Sequence, residues 1–183
     1  MSEVLSVTMA TRKIDVRPFS SREEYLGMID YFLDADDAYL RGMGADRSRF
    51  PSRNDWLREV LADQKRAESR KDRIYLGWFY NGRLVGHSSV NQIEIGEQAY
   101  LHLHLWDPAL RRNGLGAEFL RRSIACFRRR LHLKRVICEP YADDVAPNRV
   151  LQKLGFTFIG RFKRVPGSIT YEQDVNRWEL RLL

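Results

Sequence analysis

Arg111-Arg112-Asn113-Gly114-Leu115-Gly116-Ala117 is the stretch that decides how this chain folds. Upstream, Tyr100-Leu101-His102-Leu103-His104-Leu105-Trp106 alternates as a half-buried strand does; downstream, Gly116, Leu120, Ile124, Phe127 and Leu131 recur at helical spacing. The seven residues therefore join a strand to the start of a helix. Two glycines let backbone N–H groups close on an anion, the helix dipole points its positive end at the same place, and Arg111 and Arg112 add charge. A phosphorylated cofactor is the expected ligand.

What the loop lacks narrows that ligand. A nucleoside triphosphatase loop carries Lys-Ser or Lys-Thr after its second glycine, where this chain has Ala117 and Glu118. A dinucleotide fingerprint needs a third glycine, where this chain has Phe119. The pattern R-x-x-G-x-G/A between an alternating strand and an amphipathic helix instead resembles the acyl-CoA pyrophosphate loop of the GNAT acetyltransferase superfamily.

The rest of the chain supplies an order of elements. Ile14 to Phe19 reads as a strand, and Ser20-Ser21-Arg22-Glu23 as a helix start with serine caps and acids in its first turn. Two helices fill the segment to Arg70, the second opening at Pro51-Ser52 and carrying Trp56, Leu57, Val60 and Leu61. Ile74 to Tyr80 and Leu84 to Ile95 flank Asn81-Gly82, which predicts a hairpin. After the helix come Lys134 to Cys138 as a strand, Ala146 to Leu154 as a helix, and Phe156 to Phe162 and Asn176 to Leu182 as strands. This layout is that of the GNAT fold. A second signature strengthens the resemblance: Asn148-Arg149-Val150-Leu151-Gln152-Lys153-Leu154-Gly155-Phe156 is similar to the helix ending in K-x-G-F of the branch related to ribosomal-protein N-terminal acetyltransferases. The resemblance implies one α/β (α+β) domain over 1–183, with a mixed, mostly antiparallel sheet of six to seven strands splayed between the fourth and fifth, and about four helices.

Length and composition agree with one domain. The chain has 183 residues, 44% of them hydrophobic, enough for one full core. No apolar run approaches the roughly twenty residues of a membrane span. Met1 to Ala10 lacks the basic head and apolar run of a secretory leader, so a cytoplasmic protein is expected. Cys126 and Cys138 lack C-x-x-C spacing and the four histidines are scattered, so neither a disulfide framework nor a metal site is expected. The net charge of +7 and pI near 9.6 invite a nucleic-acid reading, yet Arg121, Arg122, Arg128, Arg129 and Arg130 fall opposite the helix's apolar face. Without aromatic stacking motifs, they read as a solvated face.

The resemblance also implies roles. Acetyl-CoA enters the wedge between strands four and five, its pantetheine arm against the backbone near Leu105 and Trp106. Its pyrophosphate meets Arg111, Arg112, Asn113, Gly114, Leu115, Gly116 and Ala117, with Asp144 and Asn148 on the same cofactor side. The acceptor is an amine, either a peptide N-terminus or a small molecule, and a homodimer is left open.

The amine must lose a proton. A lysine-like ammonium costs roughly 4.6 kcal/mol to present neutral at pH 7, an α-amino group only about 1.4. Glu139 matches a glutamate that some protein N-terminal acetyltransferases carry five residues before the signature asparagine, and is the expected base. His104, beside His102 on one strand face, is the alternative. Two positions depart from the family pattern. Asp144 stands where the signature asparagine is expected, and Leu151 where many members have the tyrosine that protonates the leaving thiolate; Tyr141 or Tyr171 could substitute. A non-catalytic acyl-CoA-binding module is the alternative function. The acceptor side is expected around Asp34 to Arg53 and Arg164 to Asp174, with Asp34, Asp36 and Asp37 read as a solvated cluster and Arg41-Gly42-Met43-Gly44-Ala45 as a flexible joint.

Overall fold

A computed structural model describes residues 12–182; the segment read for a leader, Met1 to Ala10, lies outside them. Seven strands form one sheet in the order β1-β2-β3-β4-β5-β7-β6. They are β1 (Ile14–Pro18), β2 (Arg73–Tyr80), β3 (Arg83–Glu94), β4 (Gln98–Leu105), β5 (Arg135–Cys138), β6 (Thr157–Arg164) and β7 (Gln173–Arg181). Among the described residues five α-helices accompany them: α1 (Arg22–Leu33), α2 (Asp37–Gly42), α3 (Arg53–Gln64), α4 (Leu115–Leu131) and α5 (Val145–Lys153). The extra helix, α2, occupies part of the expected joint. Asp36 supplies its cap by accepting from Tyr39 N at 2.7 Å, and Asp37 pairs with Arg47 at 2.6 Å, which accounts for two members of the acidic cluster.

The expected hairpin is present between β2 and β3, with Asn81 and Gly82 both at positive φ (50° and 81°), as a type I′ turn requires. Every neighbouring pair is antiparallel except β4 with β5. That parallel pair holds only at Gln98, Ala99 and Tyr100 against Arg135, Val136 and Ile137. Beyond it the strands part: β4 stays on β3 as far as Trp106 N–H, which donates to Val85 O at 2.8 Å, while β5 ends before Pro140 and follows β7. This is the expected splay.

Strand alternation divides the sheet's burden between two cores. On one face Leu76, Trp78, Val90 and Leu101 pack against Phe119, Leu120, Ile124, Phe127 and Leu131 of α4. Trp78 stacks flat on Phe119 at 5.1 Å, and its indole donates to Ser123 Oγ at 2.9 Å, which lies 2.8 Å from Ser88 Oγ. Burying each such large apolar side chain contributes about 1.5–3 kcal/mol. On the other face Phe19, Tyr25, Met28, Phe32, Trp56 and Tyr75 form the core beneath α1 and α3. The arginines of α4 lie outside: Arg121, Arg122, Arg128 and Arg129 are exposed, and half-buried Arg130 holds Glu68 at 2.6 Å.

Candidate active site

The splay opens a cleft of about 1180 Å³ lined by β4, the loop into α4, the β5–α5 loop, α1–α3 and the segment before β7. At one end lies the glycine loop. Arg112 and Gly114 adopt positive φ (65° and 76°), turning successive N–H groups, and Gly114 precedes α4. Ser21, Asp36, Ser52 and Asp144 cap α1, α2, α3 and α5 with side-chain oxygens, whereas α4 has no side-chain cap. Its first amides are thus left for an external acceptor. Nothing lies within 4 Å of where a side chain would start at Gly114 or Gly116, so the space over these amides is open. Leu115 and Ala117 are buried and anchor the turn, and Arg112 and Asn113 are exposed beside it. Arg149 and Lys153 of α5 add positive charge to the lining. An uncapped helix start, an open cradle and flanking cations fit a diphosphate.

Arg111 is placed differently from its neighbours. Its guanidinium donates to Leu105 O (3.0 and 3.3 Å) and to Tyr39 Oη (2.6 Å), across the cleft mouth. Leu105 is partly buried against the α4-side core, and Trp106 projects to the opposite face, where its Nε1–H donates to His87 Nδ1 at 2.9 Å.

Glu139 sits where β5 has left β4, with its side chain 5% exposed. Its Oε1 accepts from Arg177 Nε at 2.7 Å and Arg164 Nη1 at 3.0 Å. Arg177 in turn donates to Tyr100 Oη at 3.1 Å. Oε2 takes no hydrogen bond from the described residues, and Glu139 is among the residues that line the cleft. Arg164 and Arg177 lie 25 and 38 residues away in sequence, and no local signal connects them to Glu139.

His102 and His104 share one face of β4, and His87 of β3 joins them there. His102 Nε2 lies 2.9 Å from Asn91 Oδ1, and His104 stacks on His87 at 4.9 Å beneath Phe32 and Tyr31. Burial holds all three well below the ordinary imidazole value, His104 down to about 3. They are neutral at pH 7, and His104 is a weak proton acceptor.

Asp144 caps α5 through Ala146 N at 3.3 Å and lines the cleft; burial raises its pKa. Asn148 is turned toward the sheet instead. Its Nδ2 donates to Tyr141 O and Asp144 O (3.1 and 2.7 Å), and its Oδ1 accepts from Asn176 Nδ2 and Trp178 Nε1 (2.9 and 2.8 Å). Both donors and both lone pairs of its amide are used inside the protein. Leu151 is fully buried in the α4-side core. Of the two tyrosines that could replace a phenol there, Tyr141 lines the cleft, while Tyr171 donates to Arg41 O at 3.2 Å. Negative charge on Asp143 and a hydrogen bond to it raise the Tyr141 pKa, so it stays a protonated donor at neutral pH.

Residues 40–156 match the model of the acetyltransferase (GNAT) family. The chain belongs to that family. No curated protein matches the sequence. Among solved structures, it is similar to RimL, a ribosomal L7/L12 α-N-protein acetyltransferase in complex with coenzyme A, at 19% identity over 94% of this chain and 96% of that one, TM-score 0.74. It is also similar to the ribosomal-protein-S5-alanine acetyltransferase of Vibrio fischeri, at 16% identity over 92% of each chain, TM-score 0.73. A third, yncA from Salmonella typhimurium with acetyl-CoA, shows 18% identity over 94% of each chain, TM-score 0.68. At such identities these likenesses speak for the fold, and the family for acetyl transfer. Among the described residues no group of side chains could hold a metal ion.

Proposed function

We propose that this chain transfers the acetyl group of acetyl-CoA to the α-amino group of a peptide or protein, with Glu139 taking the proton. The observation that carries the reading is the pairing, in one cleft, of an uncapped glycine-lined helix start with a carboxylate whose Oε2 has no partner. The loop amides of Arg112 to Ala117 hold the diphosphate, and the open backbone edge of β4 short of Leu105, whose carbonyl Arg111 holds, receives the pantetheine arm. Acetyl-CoA supplies the activated acyl group. Arg177 and Arg164 keep Oε1 still, so that Oε2, directly or through one water, accepts the ammonium proton. Tyr141 is the donor nearest in kind to the family's tyrosine for the departing thiolate, and Asn148 holds the β5–α5 loop in place.

An α-amine is favoured over a polyamine by charge. Of the carboxylates lining the cleft, Asp63 and Asp72 pair with Arg66, Glu139 with two arginines, and Asp144 caps α5, leaving Glu59 alone to meet several positive charges. An α-ammonium also gives up its proton more readily. The solved relatives that acetylate ribosomal proteins support the same acceptor class. A cytoplasmic location goes with this reading; among the described residues no helix is long and apolar enough to cross a membrane.

The test is thiol release from acetyl-CoA with a panel of peptide N-termini, polyamines and aminoglycosides, with mass spectrometry of the products. Acetylation at a peptide α-amine is expected. Turnover confined to polyamines or amino sugars would refute the acceptor, and no acetyl-CoA-dependent rise in Tm would refute the donor.

A further inference from the structure

Arg111 belongs by sequence to the anion loop, yet its guanidinium reaches into the opposite wall. Trp106 N–H points toward β3, and the backbone groups of successive strand residues alternate sides, so the Leu105 carbonyl faces the open wedge. Arg111 takes that carbonyl with two N–H groups and gives a third bond to Tyr39 Oη, lying 5.1 Å from the centre of the Tyr39 ring. Tyr39 Oη is 2.9 Å from Tyr31 Oη, and Tyr31 stacks on Trp106 at 5.8 Å and lies 5.7 Å from His104. The chain of contacts thus runs from the end of β4 through α2 and α1 and back to β4. Short α2 has one buried side chain, Leu40, and so depends on such polar ties for its position.

We infer that Arg111 is a positioning residue for the acceptor rather than a ligand of the cofactor's phosphates: it braces α2, a wall of the acceptor side, against the end of the donor strand. A guanidinium suits this task because its planar fork holds a carbonyl and a phenol at once in one fixed geometry. Arg112, exposed and adjacent, is left as the loop's cation for the diphosphate.

The test compares Arg111→Ala, Tyr39→Phe, their double variant and Arg112→Ala in three readouts: coenzyme A binding by calorimetry, amide exchange of Asp37–Gly42, and steady-state KM for the acceptor. Arg111→Ala should raise acceptor KM about tenfold and speed α2 exchange, with the coenzyme A Kd within about threefold of wild type. The double variant should be no worse than Arg111→Ala, because both substitutions cut one linkage. Arg112→Ala should show the reverse, weaker coenzyme A binding with unchanged α2 exchange. A tenfold or larger loss of coenzyme A affinity in Arg111→Ala with α2 exchange unchanged would overturn the inference, as would additive effects in the double variant. The kinetic arm rests on the acetyl-transfer reading. Calorimetry and exchange need no turnover, so failure of that reading and failure of this one are separable.

Discussion

Trp106 donates its indole N–H to His87 Nδ1 at 2.9 Å, which leaves the His87 proton on Nε2 and makes the ring neutral. The bond joins the last turn of the donor strand to the middle of β3 and orders a stacked pair of imidazoles, His87 and His104, under the α1 aromatics. A protonated His87 could not accept from Trp106, so charge at this position breaks the arrangement.

Stability should therefore fall on mild acidification. Desolvation, complete at His87 and partial at His102 and His104, lowers the pKa of each below the ordinary imidazole value in the folded protein, so between about 6.5 and their folded values the unfolded chain binds more protons. Their contribution is complete above about pH 6.5 and is lost as the pH falls toward about 3 for His104, by at most about 1.4 kcal/mol per pH unit for each ring. Urea midpoints between about pH 7 and about pH 5, a range above most carboxylate titration, check this. A flat profile there would contradict it, and His104→Leu should make the slope shallower.

Gly116→Val should abolish coenzyme A binding without harming the fold. The position has no neighbour within 4 Å to clash with, and its side chain would stand where the diphosphate must approach the α4 amides. The ligand-induced rise in Tm should disappear while the unliganded Tm changes by no more than a few degrees, given a valine helix cost of under ~1 kcal/mol. Gly114→Ala differs, because φ is +76° there and a Cβ adds about 1–2 kcal/mol of strain to the free protein.

Glu139→Gln should lower kcat by roughly a hundredfold or more, in the range of a lost general base, with acetyl-CoA affinity little changed. The amide keeps an oxygen for Arg177 and Arg164, so the clamp survives while proton acceptance does not. Retained activity in Glu139→Gln together with loss in His104→Ala would move the base to His104.

Ser123→Ala should destabilise the α4 packing by about 1–3 kcal/mol, since Trp78 Nε1 and Ser88 Oγ each lose a close buried partner. For a chain of this length that is a fall in Tm of roughly 2–12 °C, measurable by calorimetry, with coenzyme A affinity preserved.

Much of the fold is legible in the residues because its signals are local. Asn81-Gly82 specifies its own turn, the α4 apolar spacing specifies its buried face, and the glycine loop marks the start of a helix. The α2 helix is hidden because its six residues bury only Leu40 and offer no periodicity to read. Its cap, Asp36, sits within an acidic cluster that a solvated surface explains equally well.

By itself, then, the sequence determined the succession of elements along the chain and the glycine loop, and through the resemblance they carry, the donor: backbone turns and amphipathic faces are set by neighbours a few residues apart. Only the tertiary structure decided what the individual side chains do. Arg111 leaves its loop for Tyr39, 72 residues earlier; Asn148 is consumed by Asn176 and Trp178; and Glu139 is gripped by arginines from β6 and β7. The Asn148 and Glu139 contacts need the sheet to assemble in the order β5-β7-β6, and the Arg111 contact needs α2 to be folded over the end of β4, so no spacing along the chain encodes them.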